Sequence, residues 1–141
     1  MHVLGKTPRM VRNISLSPLW VLVVDDEALI RWSIAEALLQ SGHRVVEAGS
    51  AEGALEAMSG APEPIDVVLL DYRLPDSTDL RLLARIRTTS PDTAVVMMTA
   101  YGTPEVMKDA LALGAYRVLS KPFDMHDIDS LVRDAYVAAH H

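Results

Sequence analysis

VLVVDD, at residues 21–26, is a run of four apolar residues that ends in two carboxylates. Three more apolar runs also lead into polar residues: VVLLD at 67–71, VVMMT at 95–99 and VLSKP at 118–122. A continuous run of Val and Leu is typical of a strand buried on both faces of a parallel sheet. Because open α/β sheets bind ligands at the carboxyl ends of their strands, we expect the carboxylates, the hydroxyl and the ammonium to converge on one sheet edge.

The composition indicates a single folded domain with excess negative charge. Half of the 141 residues are apolar, the net charge is −6 and the pI is about 5.2. This balance argues against direct nucleic-acid binding, since such domains usually present a basic face. There is no cysteine for a disulfide or a zinc–thiolate site, and no apolar run suits a membrane span or a secretory signal. We therefore expect a soluble, cytoplasmic protein without membrane contact.

Residues 1–18 are predicted to be a flexible N-terminal extension, because they lack periodicity and contain Gly5, Pro8 and Pro18. Strand and helix signals alternate in the predicted domain, residues 19–141. Strands are predicted at Trp20–Val24, Arg44–Glu47, Asp66–Leu70, Ala94–Met98 and Arg117–Leu119. Helices are predicted at Glu27–Gln40, Ala51–Met58, Leu80–Thr88, Pro104–Leu113 and, capped by Asp124, to about Ala138. Five such units predict a flavodoxin-like, doubly wound α/β fold with a five-stranded parallel sheet in the order 2-1-3-4-5.

Capping residues mark several of these boundaries. Ser50 is a good N-cap, and Thr103 followed by Pro104 is a good helix start. Gly42 and Gly114 are placed to end the first and fourth helices.

The carboxylates Asp25, Asp26 and Asp71 suggest a metal site. Adjacent carboxylates repel each other unless a cation lies between them, and Mg²⁺ prefers oxygen ligands. Taken alone, Asp25 and Asp26 could simply end a strand and cap the next helix. Asp71, at the end of a second apolar strand, shifts the balance towards metal binding.

Asp71 also suits the role of a nucleophile, because a carboxylate can accept a phosphoryl group that is delivered in line. The ammonium of Lys121 would neutralise charge on that group, and the hydroxyl of Thr99 could donate to one of its oxygens. Pro122 allows a cis peptide bond that would fix the direction of Lys121. The plainer interpretations are a turn carboxylate, a β-branched strand end and a solvated ammonium.

Four motifs carry a resemblance to a known family: VLVVDDE at 21–27, VVLLDYRLP at 67–75, VVMMTAYGT at 95–103 and GAYRVLSKPFD at 114–124. Over residues 19–139 the chain resembles the receiver domain of bacterial two-component response regulators. The string RWSIAEAL at 31–38, with MTAYGT and KPFD, is most similar to receivers attached to NtrC-type activators of σ54 transcription.

The resemblance implies a role for each residue at the strand ends. Asp71 is implied to be the phosphoacceptor. Asp26, Asp71 and the backbone carbonyl of Arg73 are implied to hold Mg²⁺, with Asp25 acting through a metal-bound water. Lys121 is implied to bind the phosphoryl group.

The implied switch group is Thr99, Ala100 and Lys121, in which Thr99 moves towards the phosphoryl group and reports phosphorylation. Arg73 and Tyr101 flank the site, and they are implied to influence the lifetime of the phosphoryl group.

The resemblance further implies a signalling phosphoacceptor rather than an enzyme. A histidine kinase or a phosphotransfer protein would donate the phosphoryl group. The surface formed by the fourth helix, the fifth strand and the fifth helix would then change conformation, and it suits a homodimer or an output-domain contact. A transcriptional output domain is absent from this sequence.

Two places depart from the family pattern. Three residues before Lys121 the family usually has Tyr or Phe, the partner of the Thr switch, and this chain has Val118. In the loop after the phosphoacceptor the family usually has glycines where this chain has Asp76 and Asp79. These two carboxylates either perturb metal affinity or cap the next helix, from Ser77 to Asp79, and we favour capping.

Other function classes stay open at this point. The chain is an excised receiver or a stand-alone single-domain regulator, and Val118 leaves a receiver-like scaffold without phosphorylation as an alternative. A phosphatase of the haloacid dehalogenase type is less favoured, because Asp71-Tyr72-Arg73 lacks its second aspartate. A flavodoxin-like cofactor binder would need a phosphate-binding loop where Asp25-Asp26-Glu27 stands.

Overall fold

The computed structural model describes residues 17–77, 80–100 and 102–140, so residues 1–16 of the predicted extension lie outside it. The strands are β1 Trp20–Val24, β2 Arg44–Ala48, β3 Val67–Asp71, β4 Ala94–Thr99 and β5 Arg117–Ser120. The helices are α1 Ala28–Gln40, α2 Ala51–Gly60, α3 Arg81–Thr89, α4 Pro104–Ala112 and α5 Ile128–Ala139.

The sheet is parallel throughout, in the order β2-β1-β3-β4-β5, which confirms the predicted fold. β1 lies between β2 and β3, so that Val24 pairs with both Ala48 and Leu70. β3 pairs in turn with β4, which places Asp71 opposite Met98. The register therefore sets the ends of three apolar runs side by side at one edge of the sheet.

The sheet separates two apolar clusters. Helices α2, α3 and α4 contribute to the cluster on one face, and α1 and α5 contribute to the cluster on the other. Strands β3 and β4 are buried along their whole length, and β1 is buried apart from its first residue. Because both faces are covered, these strands have continuous apolar runs rather than alternating patterns.

Four strands end one residue later than predicted, and the first of them is β2, which includes Ala48. β3, β4 and β5 include Asp71, Thr99 and Ser120, which the sequence interpretation placed just after the strands. The ladder continues because the backbone N–H of Tyr72 donates to the carbonyl of Met98 at 2.8 Å. The polar residues at the sheet edge are therefore held by strand hydrogen bonds rather than by loops.

The predicted caps of the middle helices are present. Ser50 Oγ accepts from the backbone N–H of Gly53 at 3.0 Å, and Thr103 Oγ1 accepts from the first turn of α4 at 3.2 Å. Gly42 and Gly114 have φ values of 90° and 103°, the left-handed conformation that ends many helices.

The last helix begins later than predicted. Asp124 caps a 3₁₀ turn, Met125–Asp127, by accepting from the N–H of His126 at 2.9 Å, and α5 starts at Ile128. Within the residues that the structure describes, the longest helix is α1, with 13 residues. In the described part of the chain, no helix is long and apolar enough to cross a membrane.

Candidate metal and anion site

Three carboxylates meet at the carboxyl edge of the sheet. Asp25 and Asp26 follow β1, Asp71 ends β3, and one oxygen of each lies within 4.8 Å of the others. Asp25 is 0% exposed and Asp71 is 6% exposed, whereas Asp26 is exposed. The structure thus brings together the three carboxylates that the sequence placed at separate strand ends, two of them withdrawn from water.

Lys121 supplies a positive charge to this cluster. Its Nζ lies 2.7 Å from Asp25 Oδ2, 3.2 Å from Glu27 Oε1 and 3.3 Å from Asp71 Oδ2. Its backbone N–H donates to the carbonyl of Thr99 at 2.9 Å, which holds the base of the side chain beside β4. The peptide bond to the following proline is cis. Lys121 therefore reaches across the edge of the sheet from β5 to β1.

Burial and charge shift the pKa values of this site. Burial, with the charge of Asp25, raises the pKa of Asp71 from 3.8 to about 6, although Lys121 opposes the shift. Burial by itself lowers the pKa of Lys121, but the hydrogen bond to Asp25 and the charge of Asp71 outweigh it, so the pKa is raised. At neutral pH Asp71 is therefore mostly ionised and Lys121 is protonated.

A cleft of about 320 Å³ lies over these groups, and its lining includes Asp26, Asp71, Arg73, Ala100 and Lys121. The oxygen donors and the excess of negative over positive charge suit a hard divalent cation. The ammonium of Lys121 on the same cleft suits an anion. The acidic cluster could thus bind a metal ion with an anionic group beside it.

Two further predicted site residues, Thr99 and Arg73, lie at or just after the carboxyl ends of their strands. Thr99 is the last residue of β4 and is 2% exposed. The backbone N–H of Arg73 donates to Asp71 Oδ1 at 3.3 Å, so this peptide lies beside the carboxylate. Tyr101, the second predicted modulator, lies outside the described residues.

Residues 21–133 match the family of response regulator receiver domains. The chain belongs to this family. The response regulator protein PilR of Pseudomonas aeruginosa is 40% identical over 115 residues, which are 81% of this chain and 25% of PilR. Sporulation initiation phosphotransferase F of Bacillus subtilis is 31% identical over 113 residues, which are 80% of this chain and 90% of that protein. The beryllofluoride-activated NtrC4 receiver domain dimer has a TM-score of 0.78 at 28% identity, and the match covers 85% of this chain and 98% of that one.

The receiver domain thus spans about a quarter of PilR but most of the sporulation phosphotransferase. Further relatives, at 32% to 36% identity, are DNA-binding transcriptional regulators named NtrC. The predicted similarity to NtrC-type receivers is confirmed by these matches. The output of the whole protein is a separate question, because this chain covers only the receiver portion of such regulators.

Sequence reasoning missed two residues beside the site of the receiver domain. Glu27 is a third carboxylate partner of Lys121, and the DDE string at 25–27 was the signal for it. Arg31 donates to the backbone carbonyl of Asp25 at 2.8 Å and to Glu47 Oε1 at 3.0 Å. Arg31 thereby ties the first turns of α1 to the ends of β1 and β2, a contact that only the packing reveals.

The expected role of Asp76 as a cap of the next helix is wrong. Its two carboxylate oxygens accept from the backbone N–H groups of Ala51 and Glu52, at 2.8 Å and 3.0 Å, so it caps α2, the helix before it. These hydrogen bonds hold the pKa of Asp76 below its usual value. The next helix, α3, has Leu80 at its N-cap without a side-chain cap. Asp79, the other carboxylate of that prediction, lies outside the described residues.

Val118 lies where the family usually has an aromatic side chain. It is half-buried on β5, opposite Met97 of β4, and packs against the apolar cluster beneath α2, α3 and α4. The receiver domain therefore has a small, half-buried aliphatic side chain at this position.

Proposed function

We propose that this receiver domain, residues 19–141, accepts a phosphoryl group on Asp71 from a histidine kinase or a phosphotransfer protein. The main support is the distance of 3.3 Å between Asp71 Oδ2 and Lys121 Nζ, at a cleft that three carboxylates share. With a pKa of about 6, Asp71 is mostly ionised at neutral pH and can act as a nucleophile.

In the transfer step, a carboxylate oxygen of Asp71 forms a bond to phosphorus while the bond from phosphorus to the imidazole nitrogen of the donor breaks. The imidazole leaves with the electron pair of that bond. Lys121 exchanges a carboxylate partner for a phosphoryl oxygen and offsets its charge. The protein only assists its own phosphorylation and dephosphorylation, so the proposed role is a phosphoacceptor and not an enzyme that acts on other substrates.

Mg²⁺ fits the donor set of this site. Asp26 and Asp71 would offer carboxylate oxygens and Arg73 its backbone carbonyl, while Asp25 would bind through a water. When bound, the ion offsets the negative charge that the carboxylates and the incoming phosphoryl group share. Asp25 also holds Lys121 at 2.7 Å, which keeps the ammonium at the cleft.

Phosphorylation would bias two conformations of the surface formed by α4, β5 and α5. Thr99 would turn towards the phosphoryl oxygens, with the peptide of Ala100 and with Lys121 as further donors. Such a bias is typically about 1–3 kcal/mol. Val118 cannot act as the usual aromatic partner of Thr99, so the signal would leave through the loop between β4 and α4.

The output of this switch would be a homodimer or an attached output domain that controls transcription, in the cytoplasm. The NtrC4 receiver dimer supports the first outcome, and the length of PilR supports the second. The match across 90% of the sporulation phosphotransferase supports a stand-alone regulator as the alternative. Val118 leaves open a further alternative, a scaffold without phosphorylation, although the presence of all five site residues (Asp25, Asp26, Asp71, Thr99 and Lys121) argues against it.

Intact mass spectrometry tests the proposal directly. The protein is incubated with Mg²⁺ and acetyl phosphate, and we expect one base-labile phosphoryl adduct. Asp71→Asn should abolish the adduct, whereas Asp92→Asn, which changes an exposed carboxylate at the opposite edge of the sheet, should retain it.

Absence of an adduct in the unchanged protein would overturn the phosphoacceptor role and favour the scaffold. An equal adduct in Asp71→Asn would overturn the assignment of Asp71 and mean that another residue accepts the phosphoryl group. Sedimentation with and without beryllofluoride then tests the output, and a shift to dimer on addition is the result expected for a homodimer.

A further inference from the structure

The loop that follows the proposed phosphoacceptor is tied to a helix that is remote from it in sequence. Asp76 lies five residues after Asp71 and accepts from the first two N–H groups of α2 through both of its carboxylate oxygens. This contact joins positions separated by 25 and 24 residues. The middle of the loop between β3 and α3 is therefore bound to the N-terminus of α2.

The same loop has three other fixed points. The backbone N–H of Tyr72 donates to β4, and Leu74 is buried with 4% exposure. The backbone groups of Leu74 and Ser77 exchange two hydrogen bonds, at 2.8 Å and 3.2 Å. Between these points lies the peptide of Arg73, which donates to Asp71 Oδ1.

Asp76 itself does not belong to the metal cleft. The acidic cluster consists of Asp25, Asp26 and Asp71, and the cleft above it is lined on the loop side by residues 73–75. Asp76 instead lines a separate groove between α2 and α3. Asp76 is therefore not a direct ligand, and its hydrogen bonds to α2 can act on the metal only through the loop backbone.

We propose that Asp76 is a positioning residue for the metal site, which holds the Arg73 carbonyl in place by fastening the loop to the N-terminus of α2. The inference rests on the proposed function, in which this carbonyl is a Mg²⁺ ligand. Mg²⁺ requires near-octahedral geometry, so a ligand on a loosened loop binds less well. Mutation of residues that hold metal ligands in their orientation commonly weakens metal binding by about 10- to 100-fold.

Ser50 provides a matched control, because it caps the same helix from its ordinary N-cap position and touches no part of the loop in the described contacts. Asp76→Ala and Ser50→Ala each remove a cap from α2. We expect Asp76→Ala to weaken Mg²⁺ binding about 10-fold, and Ser50→Ala to leave it within about twofold, since only the first change frees the loop.

The measurement is Mg²⁺ titration by calorimetry at neutral pH, together with amide hydrogen exchange. In Asp76→Ala the amides of Ala51, Glu52 and Arg73 should exchange faster, whereas Ser50→Ala should affect Gly53 and leave Arg73 unchanged. Asp76→Asn retains one acceptor oxygen and should have intermediate affinity, which keeps the test valid if Asp76→Ala does not fold.

Equal Mg²⁺ affinity in Asp76→Ala and the unchanged protein would overturn the positioning role, as would equal losses in Asp76→Ala and Ser50→Ala. Should Asp76→Ala not fold, an unchanged affinity in Asp76→Asn would do the same. These results differ from failure of the proposed function, in which the unchanged protein itself shows no Mg²⁺ binding.

Discussion

Lys121 Nζ lies 2.7 Å from Asp25 Oδ2 but 3.3 Å from Asp71 Oδ2. The ammonium is therefore held most closely by a carboxylate with 0% exposure, and not by the proposed phosphoacceptor. This ion pair links β1 and β5, two strands that are not neighbours in the sheet. A buried charge is stable only while it is paired, so Asp25 depends on Lys121 for its opposite charge.

Replacing Lys121 by Gln should destabilise the metal-free protein by about 2–4 kcal/mol, because Asp25 then stays buried without its cation. Mg²⁺ should restore part of this loss, since it supplies positive charge at the same carboxylates. Urea denaturation with and without Mg²⁺ measures both effects. Lys108→Gln, on the exposed side of α4, is the control and should have little effect. An unchanged stability in Lys121→Gln would contradict the dependence.

Asp71→Asn should stabilise the metal-free protein at pH 7. Because the pKa of Asp71 rises from 3.8 to about 6 on folding, the folded state binds more protons than the unfolded state between these values. The contribution of Asp71 to stability therefore falls as pH rises through this window, and it is unfavourable at pH 7. The shift corresponds to at most about 3 kcal/mol; we expect about 1 kcal/mol, since Asn also removes a partner of Lys121.

Urea denaturation at pH 4.5 and pH 7 checks the sign. The gain from Asp71→Asn should be larger at pH 7 than at pH 4.5. A gain that is equal at both pH values would show that the Asp71 pKa is not raised in the folded protein.

Asp26→Asn should separate metal binding from folding. Asp26 is exposed, so its loss should change the stability of the metal-free protein by less than about 0.5 kcal/mol. It is also a proposed direct ligand, and its loss should weaken Mg²⁺ binding at least about 10-fold. Calorimetric titration and urea denaturation measure the two quantities. Unchanged affinity would remove Asp26 from the ligand set.

Gly102→Ala should favour the conformation in which Thr99 has moved towards the phosphoryl group. A Cβ at Gly102 would lie 2.9 Å from Thr99 Cγ2, and it would have ordinary contact with Met107 at 3.7 Å. Turning Thr99 towards the cleft relieves this clash. In the presence of Mg²⁺, beryllofluoride should therefore bind several-fold more tightly to Gly102→Ala than to the unchanged protein.

The double variant Thr99→Ser with Gly102→Ala lacks the clashing methyl and should return to the affinity of Thr99→Ser alone. Equal beryllofluoride affinity with and without the Gly102 change would mean that the β4–α4 loop adapts without moving Thr99. Fluorine NMR of bound beryllofluoride reports the affinities.

The sequence predicted the chemistry of the site and the strands that carry it, for a local reason. β1, β3 and β4 are buried on both faces, so their apolar runs are continuous, and the polar residue that ends each run is visible without any tertiary information. The caps Ser50 and Thr103 were predictable for the same reason, because a cap acts within three residues of itself.

The contacts that could not be predicted join positions far apart in the chain. Asp76 is a residue type that often caps helices, and it stands shortly before the helix that follows. Its partners are nevertheless 24 and 25 residues earlier, because α2 packs beside the loop and places two N–H groups within reach. The sequence also could not show which carboxylate lies closest to Lys121, since three carboxylates lie within 3.3 Å of its ammonium.

By itself, the sequence determined the fold class, the strand order and the set of carboxylate, hydroxyl and ammonium groups at one sheet edge, because these follow from local hydrophobic patterns and the rules of parallel sheets. Only the tertiary structure decided that Asp25 is buried while Asp26 is exposed, that Lys121 is closest to Asp25, and that Asp76 is bound to α2. Burial and distance depend on how separate elements pack, and no local pattern records that packing.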